Sequence, residues 1–166
     1  MILQYFKKKE NKEQIIANKQ YKKILYESIS FLNNNNFFKI KDFNTSFEII
    51  SIFLIMFIRK NLLEDDRSFY LRVNEELISL FISDLDESLR DKGIGDMSIG
   101  KYVKSYVKKF YFRIRKFPVD NNLYKNESFK EYLRIVKLIK NLENDEYYKV
   151  SRVFHDKFSD FINSNI

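Results

Sequence analysis

Seven basic residues and no acid lie between Met97 and Phe117, namely Lys101, Lys104, Lys108, Lys109, Arg113, Arg115 and Lys116. On a helix such a run offers cations to RNA phosphates or to anionic lipid headgroups, contacts that weaken as salt rises. Just ahead of it stand Gly93 and Gly95, with Gly100 inside it, and these are all three glycines of the chain. A phosphate-binding loop needs a strand before it and a Gly-Lys-Ser/Thr end. Here Gly100-Lys101 is followed by Tyr102 and the glycines follow a helical pattern, so helix termination accounts for them. Other chemistry is sparse. With no cysteine there is neither a disulfide nor a thiolate, and the single histidine, His155, has no second histidine or spaced carboxylates with which to hold a metal. Asp84 and Asp86 are two apart and therefore face different directions on a helix. The expectation is a protein with no catalytic constellation, no metal and no cofactor.

The formal net charge of the 166-residue chain is +7, so outside that one segment bases and acids balance. Hydrophobic residues at 45% with charged residues at 32% place it among globular proteins, and its length suits one domain over 1–166. Residues 1–11 read as a flexible segment, and their order is neither that of a secretory signal nor that of a transit peptide. Three glycines and one proline leave few turns for an all-β fold. The expected class is all-α, a compact domain of five to seven helices.

Ile49 to Ile58 is the most apolar run. Ten helical residues rise about 15 Å, half of a ~30 Å hydrocarbon core, so it does not span a membrane. A buried core helix is the first reading, and the sharper alternative exposes Ile52, Phe53, Met56 and Phe57 to an apolar client. Thr45 and Glu48 have capping-box spacing ahead of this helix, and Arg59-Lys60 suit the negative end of its dipole.

Before it, residues 12–32 carry Ile15, Ile16, Tyr21, Ile24, Leu25, Ile29 and Leu32 at helical spacing, ended by the asparagines 33–36. After it, residues 69–92 have a wide apolar arc through Val73, Leu77, Phe81, Leu85 and Leu89, which predicts a helix touching neighbours on two sides. Asp86 and Arg90 fall on its polar wedge; Asp84 projects among the apolar side chains and needs a partner, a base on the next helix or another molecule. With Lys92 as the last half-helical residue, Gly93 takes the left-handed position and Ile94 meets Leu89 in a Schellman motif. Gly95 and Asp96 carry the turn, with Asp96 or Ser98 capping the next helix.

That helix, 99–117, puts Ile99, Tyr102, Val103, Tyr106, Val107, Phe110, Ile114 and Phe117 on one side. Lys101, Lys104, Lys108 and Arg115 lie on the other, with Lys109 and Lys116 at its edge. Phe112 falls amid the cations and is a candidate contact. Pro118 ends the helix. Residues 119–126 read as a loop. Two more amphipathic patterns follow, with stripes Phe129, Tyr132, Leu133, Val136, Ile139 and Tyr147, Val150, Phe154, Phe158, Phe161.

The sequence Asp84-Leu85-Asp86, Leu89-Arg90, Gly93-Ile94-Gly95-Asp96-Met97-Ser98-Ile99-Gly100-Lys101, Val103-Lys104 and Phe110-Tyr111 resembles the ubiquinol-cytochrome c chaperone family. A looser similarity runs from Phe47-Glu48-Ile49-Ile50 to Arg59-Lys60. The chain departs from the family pattern at Phe53, where a histidine is usual, and at Phe112, where a glycine is. The resemblance implies an all-helical assembly factor of the cytochrome bc1 complex. It implies binding of newly made cytochrome b close to the ribosome and its RNA, with a small partner protein, on the matrix side of the mitochondrial inner membrane or the cytoplasmic side of an alphaproteobacterial one. The partner-binding candidates are then Asp84, Asp86, Arg90, Asp96, Lys101, Lys104, Lys108, Phe112 and Arg115. A ribosomal-RNA-binding module without a client, or a peripheral membrane scaffold, would use the same basic face.

Overall fold

A computed structural model describes residues 11–36, 38, 40–118, 127–138 and 144–163, except the side chains of 144, 145 and 161–163. The N-terminal decapeptide, the loop 119–126, Ile139 and the Phe161 side chain lie outside the described residues. Six helices follow one another: α1 (Lys12–Asn34), α2 (Phe43–Asn61), α3 (Arg67–Asp91), α4 (Asp96–Lys116), α5 (Glu127–Val136) and α6 (Asn144–Asn163), with no strand among the described residues.

The centre is α2. Every residue from Ser51 to Phe57 is buried, because α1, α3, α4 and α6 all pack against it. Ile52, Phe53, Met56 and Phe57 are each 0% exposed, so the reading of these four as a client surface is corrected: they are core. Phe31 of α1 lies edge-on to Phe53 at 5.5 Å and against Phe154 of α6 at 4.6 Å. Phe154 meets Phe129 of α5, and Phe129 meets Phe117 at the end of α4. This chain of rings joins five helices. Helix α3 packs on α1, α2 and α4, which is why its apolar arc is wide.

Two starts differ from expectation. Helix α2 begins at Phe43 because the Asp42 carboxylate accepts from the Thr45 amide at 2.8 Å and from its hydroxyl at 2.7 Å. Thr45 is thus inside the helix and Glu48 is released for another role. Helix α4 has Gly95 as its N-cap with no side-chain cap; the Ser98 hydroxyl donates to the Gly95 carbonyl, and Asp96 turns to Arg90. Helix α1 buries Tyr21 and Ile24 and packs Ile16, Leu25 and Leu32 on the core as expected, but not all of its stripe. Its buried face is Ala17, Gln20, Tyr21, Ile24, Ser28 and Phe31, leaving Ile15 and Ile29 54% and 57% exposed. Gln20 is buried because Asn61 exchanges two 2.9 Å hydrogen bonds with it, while Asn61 also donates to Asn74 at 2.7 Å. Polar groups paired in this way can be buried at little cost. They tie α1, α2 and α3 at one end of the bundle.

The α3–α4 turn has the expected form. Gly93 has φ +85, its amide donates to the Arg90 carbonyl at 2.8 Å, and the Ile94 amide donates to Leu89 at 3.3 Å. These are the paired bonds of a Schellman motif. A left-handed residue here is cheap only for glycine.

Candidate functional site

The seven bases of α4 divide into two groups that a count cannot distinguish. Arg113 is only 6% exposed and forms a fork on buried Glu48 of α2, with Nε to Oε2 at 2.9 Å and Nη2 to Oε1 at 3.0 Å. The Lys109 ammonium joins Oε1 at 2.9 Å. Both cations point inward and answer a single carboxylate. Arg59 makes a second α2–α4 link: its guanidinium lies 4.7 Å from the Phe117 ring centroid and donates to the carbonyls of Phe117 and Pro118. These carbonyls lie just beyond the last residue of α4, so Arg59 fastens the chain where it leaves the helix. Glu48 and Arg113 are 65 residues apart, so no local spacing in the sequence links them. One signal is present, since at 100° per residue Arg113 falls on the apolar side of α4, beside Tyr106, Phe117 and Phe110.

The remaining cations Lys101, Lys104, Lys108, Arg115 and Lys116 are exposed. The first four have no carboxylate within ion-pair distance among the described residues. With Met97 and Tyr111 they follow steps of four, three, four, three and four, a straight stripe along the outside of α4. Phe112 flanks it, half-buried, with Arg113 and Lys116 over its ring at 5.6 and 5.8 Å.

Other candidates are engaged within the fold. The Asp86 and Asp96 carboxylates both pair with Arg90, the former at 2.6 Å, so these three form an exposed clamp across the α3–α4 turn. Asp84 accepts from the Tyr21 hydroxyl at 2.8 Å, so its partner is a phenol on α1 rather than a base on α4. Burial, and then the Asp84 acceptor, push the Tyr21 phenol well above the ordinary tyrosine range. Tyr132 is raised by burial too, and its hydroxyl has no hydrogen-bond partner among the described residues.

Raised phenols predict alkaline sensitivity. The unfolded phenol ionises near pH 10.0, so the stabilisation is complete below that pH and is lost as pH rises beyond it. Thermal melts should show stability falling above about pH 10. Tyr21→Phe should cost about 1 kcal/mol at neutral pH and make the alkaline fall shallower. An unchanged alkaline slope would contradict this assignment.

No helix among the described residues is long and apolar enough to cross a membrane, and none of their His, Asp and Glu side chains group as a metal site would require. Residues 38–118, which contain α2, α3 and α4, match the model of the family described as Ubiquinol-cytochrome C chaperone. No curated protein matches the chain. The fold is similar to the crystal structure of the Cbp3 homolog from Brucella abortus, with a TM-score of 0.71 at 20% identity, covering 99% of this chain and 90% of that one. Through its residues 38–118, the chain is similar to the ubiquinol-cytochrome c chaperone family, and its fold is that of the Cbp3 homolog.

Proposed function

We propose that the protein is a non-enzymatic assembly chaperone of the cytochrome bc1 complex and that it binds newly made cytochrome b. The observation that carries this reading is the family match over residues 38–118, because it covers the Glu48–Arg113 lock, the Schellman turn and the cationic stripe together. On this reading the protein works close to the ribosome, on the matrix side of the mitochondrial inner membrane or the cytoplasmic side of a bacterial one, together with a small partner protein. Since Ile52, Phe53, Met56 and Phe57 form the core, the client is held by the outside of the bundle.

The test is pulse labelling in the native cell followed by purification of the tagged protein. Labelled cytochrome b should co-purify early in the chase and leave as the complex matures. Recovery of ribosomal RNA with no cytochrome b at any time would instead favour an RNA-binding module without a client.

A further inference from the structure

The outward stripe of α4 is a cationic surface that the fold does not use. Lys101, Lys104, Lys108 and Arg115 project from it, Met97 at its start is 105% exposed, and Tyr111 lies within it. From 97 to 115 the stripe extends about 27 Å along one straight helix. Its chemistry narrows the occupant. A partner helix would need apolar side chains at these heptad positions, and three of the six are lysines. Bidentate reading of nucleic-acid phosphates favours arginine, whereas lysines act as point charges on flexible stems that suit a fluid, laterally mobile anionic surface. A fully exposed apolar methionine at one end can enter the acyl-chain boundary, and a tyrosine within the stripe suits the headgroup level, where amphipathic side chains gather.

We infer that this face docks the protein on an anionic lipid bilayer, the cations over the headgroups and Met97 entering the interface. The helix lies on the membrane rather than in it, because the stripe is charged where an inserted helix would be apolar. Lys109 and Arg113 take no part, since Glu48 holds them inward. Attraction of this kind falls with salt and grows with the number of cations at the surface. The inference does not depend on the client, so its failure would leave the assembly role standing.

The experiment is flotation of the purified full chain with vesicles of phosphatidylcholine alone, or of equal parts phosphatidylcholine and phosphatidylglycerol. Binding should require the anionic lipid and be lost in high salt. Replacing Lys101, Lys104 and Lys108 together by Gln should weaken it about 100-fold, at roughly a factor of five per charge. The same change at Lys12, Lys19 and Lys22, exposed residues of α1, should leave binding in place. The chain has no tryptophan, so Met97→Trp supplies a single reporter whose emission should shift to the blue only with anionic vesicles. Circular dichroism melts check that each variant is folded. The inference is overturned by equal losses from the α1 and α4 variants, by no shift at Met97→Trp, or by binding of a structured RNA with none to vesicles.

Discussion

Glu48→Leu is expected to destabilise the protein by about 3–5 kcal/mol, because it leaves the Arg113 guanidinium buried without its counter-charge. Lys109 can swing to water from its half-exposed position, but Arg113 is held beneath the surface of α4. Arg113→Met should cost less than Glu48→Leu, as Lys109 still answers the carboxylate. The double replacement Glu48→Leu with Arg113→Met should recover most of the loss, since an apolar pair of similar volume avoids desolvating two ions. Urea unfolding of the four proteins gives the coupling directly. Additive single effects would show that the fork contributes nothing specific. The pair also registers α2 against α4, so its loss should loosen the cationic stripe from the core even where the chain stays folded.

Phe53→Ala should cost about 3–5 kcal/mol through the cavity left beside Phe31. If Phe53 instead belonged to a client surface, truncation would change binding with little effect on stability. A thermal or urea melt separates the two, and a shift under about 1 kcal/mol would refute the core placement. The result bears on the family pattern too. A histidine at this position would stand in the centre of the bundle, so its replacement by Phe53 here reads first as a change of core packing.

Helix number and class were legible because the apolar spacing is regular and the chain has few turn residues. The α3–α4 turn was legible in detail, since Leu89, Lys92, Gly93 and Ile94 each fill a position that only one helix ending requires. What could not be read was long-range pairing. Gln20 and Ser28 look like surface residues of α1, yet they lie on its buried face; of the expected stripe Tyr21 and Ile24 are buried and Ile16, Leu25 and Leu32 pack against the core, while Ile15 and Ile29 face outward. The capping-box spacing at Thr45 was outcompeted by Asp42, three residues earlier. Glu48 then served a partner on a distant helix. Among the site candidates, the cations of α4 were found on one outward face, while Asp84, Asp86, Arg90 and Asp96 were found bonded within the fold.

The assembly role is tested most directly by deleting the gene in its own cell and measuring the b-type haem spectrum and ubiquinol–cytochrome c reductase activity of the membranes, with the wild-type chain restored as a control. The account predicts that both fall together while cytochrome b messenger persists, and that the restored chain brings both back. Membranes with unchanged bc1 haem and activity after deletion would contradict it.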